Sequence, residues 1–308
     1  MVHPESTAAP LRVAVTGASG LIGSALVERL RGEGHSVLRL VRRAPRGGDE
    51  ARWDPDAGQV DAAALEGADA VVHLAGETVA ERWTSERKRA IRRSRVDATR
   101  LLADALARLA RPPRVLVCAS AVGLYGSRGD EPLTEESTPG DDFLSGVVRD
   151  WEGASDPATR AGIRVVKLRF GVVLSSRGGA LAKMLPPFRM GAGGRIGDGK
   201  QWMSWISLDD TVEIVVRALG DDALAGPVNA VAGAVTNAEL TRALGHALGG
   251  PALLPVPMFM LRTMLGSEMV EGTLLVSQRV EPRRLQQMGH RFRHPTLDDA
   301  LKAALAGG

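Results

Sequence analysis

Along its first half the chain alternates between short, nearly continuous apolar runs and segments whose apolar positions have helical spacing. Residues 11–16 and 36–41 are runs rich in Val and Leu. Between them Leu21, Ile22, Ala25, Leu26 and Leu30 share one face of a helix over 21–31. The alternation continues with a helical turn at 62–66, a buried strand at 70–74 and a long basic helix over 84–110 with Ile91, Leu101, Leu102, Leu106 and Leu109 inward. A strand at 114–119, a helix at 143–161 and a strand at 163–168 follow. Strands that are apolar on both faces and separated by helices predict a parallel sheet covered on both sides.

Right-handed crossovers make such a sheet doubly wound, the Rossmann type of α/β fold, which binds ligands at the carboxyl ends of its strands. Those ends fall at Gly17, Arg42, residues 74–77, Ser120 and residues 169–172. Past residue 175 the alternation stops. Residues 175–200 are rich in Gly and Pro and have no clear period. A helix follows at 207–219, and a strand at 227–231 returns to the sheet. Thr236 with Glu239 forms a capping box ahead of a helix to about Leu248. Pro251, Pro255 and Pro257 then break the chain before helical segments near 258–265, 281–288 and 297–306, the last opened by Thr296 with Asp299. The expected organisation is a lead-in over 1–10 and a Rossmann domain over 11–175, to which 205–235 returns. A smaller, mainly helical C-terminal lobe takes 176–204 and 236–308. Eight of the nine methionines lie at or beyond Met184, as gap-filling core or as an adaptable pocket wall.

Composition changes this picture little. With 44% hydrophobic and 24% charged residues the 308-residue chain is ordinary for a soluble globular protein. Basic residues exceed acidic ones only by 39 to 36, the arginines are scattered, and aromatics are few, which argues against nucleic acid as a partner. No run of about 18 apolar residues suggests a membrane span, and the start MVHPESTAAP has no apolar signal core. The one cysteine, Cys118 in VLVCAS, reads as a core residue and fits a reducing, cytoplasmic setting.

The chemistry enters with VAVTGASGLIG, residues 13–23: strand, glycine turn, helix. Gly17 allows the sharp turn, Gly20 a close approach of the backbone to a diphosphate, and Gly23 close packing of helix on sheet. Amides from Ser19 through Leu21 and Ile22 then aim at phosphate with the helix dipole behind them. An NAD-selective site places Asp or Glu at the end of the second strand. Here no acid occurs between Glu33 and Asp49, and Arg39, Arg42, Arg43 and Arg46 stand there instead. A guanidinium suits the 2′-phosphate of NADP(H), with Arg42 the first candidate and Arg43 the second.

These features resemble the short-chain dehydrogenase/reductases of the extended or atypical type. TGASGLIG matches their TGxxGxxG, HLAGE (73–77) their cofactor-side loop, SAVGLYG (120–126) their active-site strand end, and GDGKQWMSWISLDD (197–210) the segment joining their two lobes. The runs GDEPLTEES, PGDDF, GGALAKMLPPFRMG, PVNA, TNAEL and QRV resemble, more narrowly, the "epimerase family" of NAD-dependent epimerase/dehydratase-like proteins with a C-terminal domain of unknown function. The resemblance implies NADP(H) binding and a small organic substrate. It puts Leu74, Ala75 and Gly76 beside the cofactor, turns Arg95 of SRV toward it, and sets Val172 against the nicotinamide half.

The superfamily's chemistry needs a Tyr-x-x-x-Lys pair on one helix face, where Lys⁺ lowers the phenol's pKa and the phenol moves a proton. The one tyrosine, Tyr125, has Gly129 four residues on. Counting back from Trp151 and Glu152 puts the expected pair near Leu144 and Val148, which move no proton. Ser120 and Glu77, at strand ends, are the substitute catalytic candidates, although alignment on Tyr125-Gly126 puts Ala121 in the usual Ser/Thr place. Lys200, Trp202, Ser204 and Trp205 are expected on the second wall. His73 reads as a core imidazole, and Asp141, Asp142, Asp209 and Asp210 as helix caps. Three readings stay open: an NADP(H)-dependent oxidoreductase or epimerase-like enzyme, a non-enzymatic NADPH-binding regulator or redox sensor, and an isomerase that uses the cofactor transiently.

Overall fold

The computed structural model describes residues 9–250 and 255–307, so most of the lead-in and Pro251 lie outside the described residues. The strands are β1 (Arg12–Thr16), β2 (Ser36–Val41), β3 (Glu50–Asp54), β4 (Gln59–Val60), β5 (Ala70–His73), β6 (Val115–Ala121), β7 (Pro132–Leu133), β8 (Arg164–Phe170), β9 (Val172–Leu174), β10 (Trp202–Ser207), β11 (Gly226–Ala230), β12 (Gly233–Thr236) and β13 (Arg279–Val280). Eight of them form one sheet in the order β11-β8-β6-β5-β1-β2-β3-β4. All its pairings are parallel except the antiparallel β3–β4 hairpin. The order runs outward in both directions from β1, so the crevice opens where β1 and β5 part, as in a doubly wound sheet.

The helices are α1 (Leu21–Gly32), α2 (Ala62–Leu65), α3 (Ser85–Arg93), α4 (Val96–Leu106), α5 (Phe143–Gly153), α6 (Asp156–Arg160), α7 (Gly179–Arg189), α8 (Leu208–Gly220), α9 (Asn237–Ala247), α10 (Met258–Leu265), α11 (Ser267–Met269), α12 (Arg283–Gln287) and α13 (Leu297–Ala306). Alternation along the strands builds two cores. Val13, Val15, Val72 and Val117 meet α1 and α8. Ala14, Val71, Leu116 and Cys118 meet α4 and α6 on the other face. Cys118 is buried there, and its thiol is pushed up to about 12 by that burial.

At Gly171 the chain passes from β8 directly into a second sheet, β12-β10-β9. A Cβ at Gly171 would lie 2.7 Å from the Ser204 carbonyl oxygen, so the crossing needs a residue without a side chain. α7, α9 and α13 cover this small sheet, clustering Leu181, Leu185, Leu244 and Leu301 with Trp205 of β10.

Several elements differ from expectation. The long basic helix is two, α3 and α4, with the break at Ser94 and Arg95. The 143–161 helix divides at Ala154–Ser155, ahead of Pro157. The Gly/Pro-rich stretch holds a helix, α7, that carries Pro186 and Pro187 within it. β3 was masked by its charges: in EARWD, Glu50 is buried because arginines surround it. Predicted caps appear at Asp142, which accepts from the Ser145 amide at 2.8 Å, and in the Thr236–Glu239 box. Asp141, Asp209 and Asp210 are not caps: Asp142 caps α5, and Ser207 caps α8 by accepting from the Asp210 amide. The buried Asp210 carboxylate accepts from the Ser207 hydroxyl at 2.7 Å and from the amides of Arg293 and His294, which ties α8 to the approach to α13.

Candidate cofactor site

The turn between β1 and α1 is shaped by what its glycines lack. Gly17 has φ +67°, and a Cβ there would sit 2.9 Å from the Ala75 amide. At Gly23 a Cβ would come within 2.1 Å of the Gly17 carbonyl oxygen. The N-cap of α1 is Gly20, which offers no side-chain oxygen to the first-turn amides. Those amides, Leu21 to Gly23, have no partner within the helix and so remain donors for an anion. The side chains of Leu21 and Ile22 pack inward under the sheet, so only their backbone is available here.

Above this turn opens a cavity of about 1020 Å³, at the upper end of the range for ligand sites. Gly17, Ser19 and Gly20 form its floor; Leu74, Ala75, Gly76 and Glu77 form one side; Arg42, Arg43 and Trp53 form another. Arg93, Ser94 and Asp97, from the break between α3 and α4, close it. The buried indole Nε1 of Trp53 has no hydrogen-bond partner among the described residues.

The arginines at the end of β2 are not equivalent. Arg43 makes a two-pronged pair with Glu50, at 2.7 and 2.6 Å. Glu50 also meets Arg39 at 3.0 Å and accepts from the Arg46 amide at 2.8 Å. The Arg43 hydrogen bond, with these others, pulls the Glu50 carboxyl down to about 2. Arg42 has 64% of its side chain exposed, and its carboxylate contact is Glu77 at 3.7 Å. Glu77 also meets Arg87, at 3.3 Å. The acid-free interval 34–48 was visible in the sequence; the folding of Glu50 back onto Arg43 was not. Sequence reasoning also missed Trp53, Arg93 and Asp97 as cavity residues. The signal for Arg93 is its place two residues before Arg95 in IRRSRV.

Beneath the cavity runs a buried polar column. Thr16 Oγ1 lies 2.7 Å from His73 Nδ1, and His73 Nε2 lies 2.9 Å from Thr99 Oγ1, which also receives the Trp151 indole N–H at 2.9 Å. Burial lowers the His73 pKa to about 4, so the ring is neutral near pH 7. Thr16 Oγ1 in turn accepts from the amides of Leu74 and Ala75, which fixes the loop that borders the cavity.

Farther along the strand ends the arrangement is closed. Ser120, 3% exposed, donates to Glu152 at 2.6 Å. Glu152 pairs through both oxygens with Arg169, at 2.8 and 2.9 Å. Arg169 donates to the Tyr125 hydroxyl at 2.9 Å, and Tyr125 donates to Asn229 at 2.6 Å. Burial opposes the Arg169 charge, but the Glu152 hydrogen bonds prevail and its pKa is raised. Burial raises that of Tyr125. Ser120 does not border the cavity, and Val172 packs with the second lobe. Leu144 and Val148 of α5 lie in apolar clusters. On the expected second wall, Trp205 and Ser204 are buried, and the Trp202 indole donates to Asp130 at 2.6 Å.

The doubly wound sheet, the glycine turn and the attached lobe define a Rossmann-type protein of the short-chain dehydrogenase/reductase class. Within that class, the chain belongs to the NAD dependent epimerase/dehydratase family, whose sequence profile matches residues 13–231. A domain of unknown function (DUF1731) matches residues 256–304. An epimerase family protein of Mycobacterium bovis is 45% identical over 291 residues, which is 94% of this chain and 96% of the relative. The crystal structure of human epimerase family protein SDR39U1 (isoform 2) with NADPH is similar with a TM-score of 0.87 and 35% identity, covering 97% of this chain and 100% of that one. A nucleoside-diphosphate sugar epimerase from Corynebacterium glutamicum matches with a TM-score of 0.78 and 41% identity, over 96% of this chain and 59% of that one. No helix among the described residues is long and apolar enough to cross a membrane.

Proposed function

We propose that this chain binds NADP(H) and uses it as an oxidoreductase or epimerase-like enzyme on a small organic substrate in the cytoplasm. The observation that carries the reading is the cavity over the side-chain-free turn, with Arg42 exposed at its edge and no acid at the end of β2. The turn fits a diphosphate: donors at Ser19 and at Leu21 to Gly23, a side-chain-free backbone at Gly17 and Gly20, and the field of α1 behind them. Leu74 and Ala75 border the adenosine side. Arg42 takes the 2′-phosphate, and Arg43, held by Glu50, lends charge to that edge. Glu77 orients Arg42 and Arg87 from the cavity wall. When bound, the nicotinamide is the hydride donor or acceptor.

The protein's own proton-transfer groups are few on this side. Leu144 and Val148 stand near the positions where the resemblance leads one to expect a Tyr and a Lys, and the Ser120 hydroxyl donates to Glu152. That observation favours one second reading, a regulator whose partner interaction follows the NADPH/NADP⁺ state. An NADPH-consumption screen over aldehydes, ketones and enones separates them. Turnover of one chemical class supports the enzyme. Tight cofactor binding with no turnover across the panel, together with a partner released on cofactor oxidation, supports the regulator.

A further inference from the structure

Several arginines of the interior are well supplied with acceptors, and Arg95 is not. Arg12 donates to two carbonyl oxygens at 2.8 and 2.6 Å. Arg164 donates to the carbonyls of Leu224 and Ala218 at 2.8 and 3.0 Å. Arg169 has both oxygens of Glu152. Arg95 has a single long contact, to the Ile91 carbonyl at 3.3 Å, and no ion pair among the described residues. Glu77, the acid near it, is engaged by Arg42 and Arg87. Burial, with a contribution from Arg87, lowers the Arg95 pKa to about 10 despite Glu77. Arg95 is partly buried, and a partly desolvated cation without an acceptor is costly until a ligand or water completes it.

The place is specific. The Arg95 guanidinium lies 5.2 Å over the Trp151 ring of α5 and faces exposed Gly76, where a Cβ would sit 3.5 Å from Cζ. The missing side chain at Gly76 leaves the guanidinium an opening. The break between α3 and α4 puts Arg95 there: Arg93 and Ser94 border the cofactor cavity, whereas Arg95 turns past it to the α5 side. The diphosphate already has the amides of the first turn, and Arg42 stands at the 2′-phosphate edge.

We infer that Arg95 receives an oxyanion, a carboxylate or phosphate group, carried by a small acidic substrate that enters beside Gly76. This rests on the proposed cofactor reading for the position of the substrate, and it departs from the resemblance, which turns Arg95 to the cofactor itself. A planar fork with open N–H donors suits such a group.

The test is calorimetric titration of inorganic phosphate, at fixed ionic strength, into wild-type, Arg95→Lys and Arg95→Met protein saturated with NADP⁺. The same proteins are titrated with NADPH before loading. Phosphate is expected to bind the wild type, to weaken about tenfold or more in Arg95→Met, and to recover in part in Arg95→Lys. NADPH affinity is expected to change by less than about threefold, well under the loss of one charged hydrogen bond. Equal phosphate binding in all three proteins overturns the inference. So does a tenfold loss of NADPH affinity in Arg95→Met, which assigns the cation to the cofactor. If Arg95→Met does not fold, Arg95→Lys alone decides: unchanged phosphate binding overturns the inference and weakened binding supports it. Failure of the wild type to take NADPH sinks the proposed function separately, and the phosphate series is then read by the same criteria on unloaded protein.

Discussion

The carboxyl ends of β1, β2 and β5 and those of β6, β8 and β11 belong to one sheet but are finished in opposite ways. Around the first group, groups are left open: first-turn amides without a side-chain cap, an exposed Arg42 and, on neighbouring β3, a Trp53 indole with no partner among the described residues. At the second group, polar side chains satisfy one another from Ser120 through Glu152, Arg169 and Tyr125 to Asn229, and one oxygen of Glu135 beside them is the buried atom left without a partner among the described residues there. A buried polar group without a partner is costly, so open groups mark where a ligand is expected and closed networks mark where the protein holds itself together. Leu144 and Val148, near which the resemblance leads one to expect the proton-transfer pair, lie in apolar clusters, while the glycine turn and Arg42 lie in the open region.

The largest effect expected from breaking this contrast comes from Glu152→Ala. It strands Arg169, whose side chain is 7% exposed, and removal of one partner from a buried pair costs about 3–5 kcal/mol. Denaturant unfolding should show that loss, while NADPH affinity in the surviving native protein stays near wild type.

Next comes pH, through His73, which lies beneath the open region. Burial depresses its folded pKa to about 4 from an ordinary 6.5. The unfolded chain therefore binds the extra proton first as pH falls. The contribution is complete above about pH 6.5 and is lost progressively toward pH 4, roughly 3 kcal/mol in all. His73→Gln should remove this part of the acid sensitivity, as measured by unfolding at stepped pH values.

Much of this was legible beforehand, for physical reasons that differ from place to place. The strand–turn–helix at 12–32 shows because apolar period and glycine position speak together. The break at Arg95 did not show, because the helical spacing continues through it. Arg43 and Arg42 look alike as neighbours in sequence; only Glu50, brought in by β2–β3 pairing, tells them apart. α7 was hidden by Pro186 and Pro187, which read as breakers. Ser120 was visible as a strand-end hydroxyl, but its partner Glu152 is 32 residues away.

A third test strikes the open region. Gly23→Ala places a methyl 2.1 Å from the Gly17 carbonyl, which must move. Overpacking of this kind costs about 1–3 kcal/mol, and loss of NADPH binding should exceed what that destabilisation alone explains. The smallest effect is Ser120→Ala, about 1 kcal/mol for one hydrogen bond, since Glu152 keeps Arg169. Unfolding measures that loss. If a substrate has been found, unchanged turnover in this variant leaves Ser120 a structural role, and loss of turnover with stability retained restores it as a catalytic candidate.

The most direct test of the central claim is calorimetry of NADPH and NADH binding to wild-type and Arg42→Ala protein. The account predicts that the wild type binds NADPH more tightly than NADH. It also predicts that Arg42→Ala weakens NADPH by about tenfold to a hundredfold, the worth of a charged hydrogen bond to phosphate, and leaves NADH nearly unchanged. No heat for either cofactor, or equal losses for both, would contradict it.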